Sequence, residues 1–350
     1  MGDLVSSQDR RYFAFYGISC HLFLALMQAF HEETRLILVT GGNGFIGRHL
    51  CSIFSAHNKK VIALDRTSLS GTVRKPAYLS LECDITDKEH LDRIFRQYSF
   101  EVIVHLASIL NTASRMNPLD ATQVNIVGGL NILEAARKFG VPKVIYGSSI
   151  SVYGSNLAQS RKGISENQPA APEDVYGVAK RYIEIVGDTY RQQFGIQFIA
   201  LRIASVIGPG AVNTASRWRS DIFEKLGLSR RAEVTIPYRS DKALPLVYVE
   251  AVVDMFESLI DAEKNSFTVY NTPCETWTLK ELGRTIESLD ENIQINFGQS
   301  SVSGIPGAIN AQRFVTEFNY EPMSLNERFS RAARLRGMKM SSKDMRSERR

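Results

Sequence analysis

The sequence predicts an α/β protein built on a doubly wound parallel sheet, with a smaller substrate domain interleaved at its C-terminal side. Three observations carry this. From Arg35 onward apolar runs alternate with helical patterns, the runs are apolar throughout, and the first of them opens into the glycine-rich TGGNGFIG. Strands that are apolar at every position are covered on both faces, and the intervening helices supply the crossovers that parallel neighbours require.

Taken in order, RLILVT (35–40) reads as a buried strand and FIGRHLCSIFSAH (45–57) as the helix after it. KVIALD (60–65) is a second strand, YLSLECD leads to a third ending near Asp84, and DKEHLDRIFRQY is helical. EVIVHLAS (101–108) is a strand, and ATQVNIVGGLNILEAARKFG (121–140) is one long helix closed by Gly140 and Pro142. KVIYGSS, the helix DVYGVAKRYIEIVGDTYRQQFG (174–195) and the strand IQFIALRIAS (196–205) complete the alternation. The rhythm then changes. GPGAVNTASRWRSDIFEKLGL reads as loop then helix, VTIPYRSDKALPLVYVEAVVDMFESL as a turn, a strand and a helix, and FTVYNTP as a short strand before the helical WTLKELGRTIESL. NIQINFGQSSVSGIPGA reads as irregular. The expected organisation is an extension over 1–34, a Rossmann-like dinucleotide-binding domain over 35–204, a mainly substrate-binding domain over 205–335 that returns in part to the first sheet, and a basic disordered tail over 336–350.

The net charge is +5, but the last fifteen residues hold six Lys/Arg against two Asp/Glu, a surplus of +4 that leaves the body at only +1. A nearly neutral body argues against a nucleic-acid partner, because phosphate binding needs a basic face. Four separated cysteines (Cys20, Cys51, Cys83, Cys274) without a C-x-x-C, and six histidines without ligand spacing, point to neither a disulfide framework nor a metal site. YFAFYGISCHLFLALMQAF (12–30) is apolar and follows Arg10-Arg11. Gly17, Ser19, His21 and Gln28 weaken it as an anchor, so an extension packed on the surface is favoured over membrane contact.

In LVTGGNGFIG two phosphate-binding frames overlap, Gly42-Gly44-Gly47 and Gly41-Gly44-Gly47, and local sequence does not choose between them. Either way, strand, glycine loop and helix form a place where backbone approaches a pyrophosphate, with Phe45 and Ile46 between the glycines. Asp65 closes the second strand about 20 residues on, where a carboxylate accepts hydrogen bonds from a ribose diol and repels a 2′-phosphate. NAD is therefore expected over NADP, although the neighbouring Arg66 offers a phosphate partner.

Tyr176 and Lys180, in VYGVAK, lie four apart on one helix face. A phenol ionised near pH 7 needs a pKa displaced by about 3, roughly 4 kcal/mol. An ammonium ~4 Å away at an effective dielectric of ~20 supplies about that much. Such a phenolate accepts an alcohol's proton while the carbon gives up a hydride. Ser148 and Ser149 end a strand, where a hydroxyl reaches a substrate oxygen; either also suits a cap or turn. Asn125 either faces solvent or orders a water on the cofactor side.

TGGNGFIG, Asp65, CDITD, HLAS, VNIVGGLNILEAAR, SSISVYG, YGVAK, LRIASVIGPG and LPLVYVEAVV, in that order, resemble the extended short-chain dehydrogenase/reductase family of NAD-dependent epimerases and dehydratases. The resemblance covers roughly Arg35 to Leu335, and the wider frame, Gly41-Gly44-Gly47, is the one that matches it. It implies NAD as cofactor, Ser149 as the catalytic serine, Tyr176 as acid and base, and Lys180 on the nicotinamide ribose. It also implies that Asp84 and Ile85 contact adenine and that Leu106, Ala107 and Ser108 form the loop beside the cofactor.

Two departures narrow the reaction. Family dehydratases place Asp-Glu after the catalytic hydroxyl, where this chain has Ile150-Ser151, so elimination of water is not expected. Nucleotide-sugar enzymes of the family carry Arg-Asp before the late strand, where Leu244-Pro245 stand here; Arg217, Arg219, Arg231 or Arg239 are the available substitutes, or else ordinary solvated charge. HLASILNTASRMNP, SSISVYG and KALPLVYV are similar to short-chain L-threonine dehydrogenases. Three readings follow: an epimerase of a nucleotide sugar, a dehydrogenase of a small polar alcohol, and a non-catalytic NAD sensor. Intact Ser149, Tyr176 and Lys180 weigh against the sensor, and family breadth favours the epimerase. A cytoplasmic homodimer acting on a small molecule is the expected setting.

Overall fold

The computed structural model describes residues 36–67, 78–155, 163–211, 216–228 and 230–335. The apolar segment at 12–30 and the basic tail lie outside these. Seven parallel strands form the central sheet: β1 (Leu36–Thr40), β2 (Lys60–Asp65), β3 (Leu79–Glu82), β4 (Val102–His105), β5 (Lys143–Ser149), β6 (Gln197–Ile203) and β10 (Val269–Asn271). Their spatial order is β10-β6-β5-β4-β1-β2-β3, so the chain runs outward from β1 to one edge, returns to β4, and runs outward to the other. The carboxyl ends of β1 and β4 flank the resulting crevice, which is where ligands bind in such sheets.

Two apolar layers hold the helices against the sheet. On one face α1 (Phe45–Ala56) and α8 (Val249–Asp261) contribute Leu50, Phe54, Met255 and Phe256. On the other, α2 (Lys88–Gln97), α5 (Gly129–Phe139) and α6 (Val175–Phe194) contribute Leu91, Phe95, Leu133 and Ile183. Burial of each such side chain is worth about 1.5–3 kcal/mol. Before α5 come α3 (Asn111–Met116), α4 (Pro118–Thr122) and a π-helical turn, Gln123–Gly128. The expected single helix over 121–140 is thus interrupted. The caps follow from sequence: Asp174 accepts from Gly177 N at the start of α6, and Gly140 and Gly195 take left-handed φ angles of 70° and 72° after α5 and α6.

The smaller part comprises β7 (Ser205–Ile207), α7 (Trp218–Lys225), β8 (Ala232–Tyr238), β9 (Ala243–Tyr248), β11 (Glu275–Thr278), α9 (Leu279–Leu289) and β12 (Ile293–Ser300), with α10 (Gln312–Phe318) beyond. Strands β11-β9-β7 form one sheet, and β12 pairs in parallel with β8. Reading 293–300 as irregular missed β12. Its alternation, Ile293 and Ile295 inward with Gln294 between them exposed, is a half-buried strand pattern masked by the Gly and Ser that follow. No described helix is long and apolar enough to cross a membrane.

Candidate active site

The glycine loop leaves β1 with Gly41 at φ 68°, in the left-handed region, and a Cβ there would stand 2.7 Å from Ala107 N. Gly44 N donates to Gly41 O at 3.0 Å, and a Cβ on Gly47 would lie 2.1 Å from that same oxygen. These three residues interlock, whereas Gly42 is pressed against Ala63 of β2. The loop is therefore built on the wider frame. Gly44 caps α1 without a side-chain bond, which leaves the first helical N–H groups, from Phe45 and Ile46 onward, for an anion. This is the cradle a pyrophosphate requires, and added methyl groups would fill it.

Asp65 faces the same loop. Its Oδ2 accepts from Asn43 N at 3.1 Å and its Oδ1 from Thr67 N at 3.4 Å, while Arg66 is exposed. The Asp84 carboxylate is engaged in its own turn, accepting from Thr86 N (2.8 Å) and Thr86 Oγ1 (2.7 Å). The Ile85 side chain is in the core, closely approached by Gly128, and its carbonyl accepts from Asn131.

At the end of β4, Thr40 Oγ1 contacts His105 Nδ1 at 2.6 Å and accepts from Ala107 N at 3.3 Å. Leu106, Ala107 and Ser108 follow, all partly buried. Asn125 does not face solvent: it is buried, its Oδ1 accepts from Ile109 N (2.7 Å) and Ser108 Oγ (3.2 Å), and its Nδ2 donates to Ile109 O (2.9 Å). The amide clasps the loop beside the glycines from within the π-turn. Such turns recur at functional sites.

Ser149, Tyr176 and Lys180 converge between β5 and α6. Ser149 Oγ accepts from Ser151 N (3.1 Å), and the Ser149 and Ser108 hydroxyls lie near enough to the Tyr176 phenol to ease its ionisation. Ser148 is separate, donating to Glu184 Oε1 at 2.6 Å within a buried ion pair where Arg202 Nη2 meets Glu184 Oε2 at 2.7 Å. Burial opposes the Glu184 charge, but Arg202 outweighs it and holds the carboxyl below the usual range.

The electrostatics differ from the expected pairing. Burial pushes the Tyr176 phenol up to about 12, against the easing effect of Ser149 and Ser108. Burial likewise lowers Lys180 to about 7, with Glu184 a smaller opposing influence. Lys180 Nζ stands 5.5 Å from the Tyr176 ring centroid and donates to Gly147 O at 2.8 Å. Without a ligand, burial thus disfavours charge on both groups, the phenolate and the ammonium alike, because desolvation dominates a charge that is itself suppressed. Nearby His105, buried and close to Lys180, falls to about 3 and is neutral. Among the described residues no cluster of His, Cys, Asp and Glu is placed to hold a metal ion.

Sequence reasoning missed the cluster around Asp174, where Asn111 Nδ2 and Arg115 Nη2 both donate to Asp174 Oδ2. An Asp just before an apolar-periodic helix was the available signal.

The sequence profile of the NAD dependent epimerase/dehydratase family matches residues 37–272. The UDP-glucose 4-epimerase of Azospirillum brasilense is 32% identical over 174 residues, covering 49% of this chain and 49% of the relative. The mitochondrial L-threonine 3-dehydrogenase of Bos taurus is 25% identical over 283 residues, covering 77% and 72%. The chain spans about half the length of the curated epimerases it matches. The solved UDP-glucose 4-epimerase of Thermus thermophilus, a complex with NAD, superposes with a TM-score of 0.73 at 22% identity, over 84% of this chain and 96% of that one. Since the profile matches more than half of its length, the chain belongs to the NAD-dependent epimerase/dehydratase family.

Proposed function

We propose that this protein is an NAD-dependent epimerase acting at a secondary alcohol of a nucleotide sugar. The observation that carries this reading is the convergence of Ser149, Tyr176 and Lys180 beside the glycine cradle. Bound NAD supplies the hydride acceptor and a positive charge. Tyr176 exchanges the hydroxyl proton, Ser149 orients the hydroxyl, and Lys180 holds the ribose and steadies the phenolate. Gly41, Gly44, Phe45, Ile46 and Gly47 take the pyrophosphate, and Asp65 takes the adenosine ribose. Leu106, Ala107, Ser108 and Asn125 wall the pocket.

A second reading, a dehydrogenase of a small polar alcohol, has its own support. Leu244 is buried and Pro245 pairs with Thr276 of β11, where nucleotide-sugar enzymes of the family carry Arg-Asp. Incubation with UDP-glucose, followed by NMR of the sugar, and with L-threonine plus NAD, followed by NADH absorbance, separates the two. Sugar interconversion without net NADH is expected; steady NADH release from L-threonine alone would replace the first reading by the second.

Cofactor choice rests on Asp65. NAD is expected to bind at least about tenfold more tightly than NADP, roughly 1.4 kcal/mol, and Asp65→Asn narrows the gap. Titration of both cofactors checks this, and tighter binding of NADP to the unaltered protein would overturn it.

We also propose a homodimer. Val178, Tyr182 and Ile185 form an exposed stripe at i, i+4 and i+7 on α6, beside exposed Met116, Leu119 and Val127 on the neighbouring helical run. Leu119 and Ile185 are 70% and 53% exposed, which is costly for apolar residues clustered on one face. Sedimentation should give a dimer for the native protein and a monomer for Ile185→Arg. A native protein monomeric at micromolar concentration would remove the proposal.

A further inference from the structure

Of the four arginines left open by the sequence, three have ordinary surroundings. Arg217 pairs with Asp221 (3.1 Å) and Glu224 (3.0 Å), Arg239 pairs with Asp241 (2.7 Å), and Arg231 is exposed. Arg219 differs. Among the described residues no carboxylate pairs with it, its Nε is buried without a hydrogen-bond partner, and its guanidinium carbon stands 5.6 Å from the Trp218 ring. The Tyr238 phenol is the polar group near it that favours its charged form. Burial lowers its pKa from the usual guanidinium value, yet the residue keeps part of its surface accessible. Guanidinium does not shed its proton, and the Trp218 ring and Tyr238 phenol bring it no negative charge, which leaves it open to an arriving anion.

Hydrogen bonds connect the segment bearing Arg219 to the helix that follows the glycine loop. The Arg219 carbonyl accepts from Gly208 N, and the adjoining Pro209 and Gly210 are held by His49 and Arg48 of α1, directly behind the glycine loop. Tyr238 pairs with Ser300 at the end of β12. From there the chain reaches Gly304, whose N–H donates to Ser155 Oγ at 2.7 Å and whose missing Cβ leaves room for Asp174, the cap two residues before Tyr176. Residues 205–211 and 300–304 thus link the segments bearing Arg219 and Tyr238 to α1 and to the cap of α6.

We propose that Arg219, with Tyr238 beside it, is the specificity-determining residue that receives an oxyanion of the substrate, a phosphate or a carboxylate carried by the same molecule whose alcohol is oxidised. This rests on the hydride-transfer reading above. It also explains how the site recognises an anion with Leu244-Pro245 in place of Arg-Asp: the positive charge is supplied from α7 instead of β9. A bidentate guanidinium suits either oxyanion.

The test is calorimetric, on the full chain saturated with NAD, using UDP, inorganic pyrophosphate and L-threonine as separate probes. At least one probe should bind the native protein, and Arg219→Gln should weaken it by at least about tenfold while NAD affinity is unchanged. Binding of UDP and pyrophosphate identifies the phosphate source, and binding of L-threonine alone identifies the carboxylate. Absence of binding by every probe, or equal binding to Arg219→Gln, would overturn the proposal. If Arg219→Gln does not fold, Arg219→Lys retains the charge and should bind the same probe more weakly; an Arg219→Lys protein that also fails to fold makes the side chain structural and overturns it. NAD titration run in parallel separates this outcome from failure of the family reading, which would appear as loss of NAD binding in the native protein.

Discussion

Tyr176→Phe is expected to lower turnover by about 10²–10⁴-fold, the usual contribution of general acid–base catalysis, with NAD affinity largely preserved. Only a hydroxyl is lost, and its neighbours are not orphaned: Ser149 keeps Ser151, and Ser108 keeps Asn125. The ring retains its packing, so the variant should fold. Steady-state rates with the substrate identified above, alongside cofactor titration, check the expectation. Near-normal turnover in Tyr176→Phe would remove the proposed proton acceptor whichever alcohol is oxidised.

Lys180→Met should both impair catalysis and stabilise the ligand-free protein. Folding takes the amine from 10.5 to about 7. Below pH 7 both states are protonated and the folded state bears the full penalty, on the order of 4–5 kcal/mol. Between about 7 and 10.5 the unfolded chain binds more protons, so the penalty shrinks as pH rises and vanishes above 10.5. Against this, Met forfeits the bond to Gly147 O, about 1 kcal/mol, and packs imperfectly for about another. A net gain of roughly 2 kcal/mol is expected at pH 7, a rise of a few degrees in Tm, turning into a net loss of about 1 kcal/mol at pH 10, where the penalty has nearly gone. Thermal melts of the two proteins at both pH values measure it. A variant less stable than the native protein at pH 7 would show that the amine is not penalised there. Lost turnover with raised stability is the pattern of a group retained for chemistry at a structural cost.

Much of this architecture is legible in the sequence because it is local. Continuous apolar runs such as KVIALD and KVIYGSS announce doubly covered strands, and Asp174 and Gly195 bracket α6 by their capping chemistry. The glycine loop is legible as a phosphate cradle, although the choice between its frames depends on Ala107 and Ala63, which arrive from other strands. What escapes is tertiary. Asn125 sits between Val124 and Ile126, and nothing in its neighbours reveals that the loop at Ile109 comes to meet it. Ser148 and Ser149 are adjacent and chemically identical, yet strand alternation sends one to Glu184 and the other toward Tyr176. The acidities of Tyr176 and Lys180 are set by how much protein surrounds them, which spacing does not encode.

The π-turn at Gln123–Gly128 also sets the phase of the surface helix. Leu119 and Val127 are eight positions apart, which on a regular helix of 3.6 residues per turn separates them by about 80° around the axis. One extra residue in a wider turn sets the helix back by about 100°, bringing the two to within about 20° of each other. By this geometry the wider turn that carries buried Asn125 also brings exposed Leu119 and Val127 toward one side of the run. Catalytic loop and these exposed side chains share a single angular adjustment, so a one-residue deletion in this run would put both out of phase together.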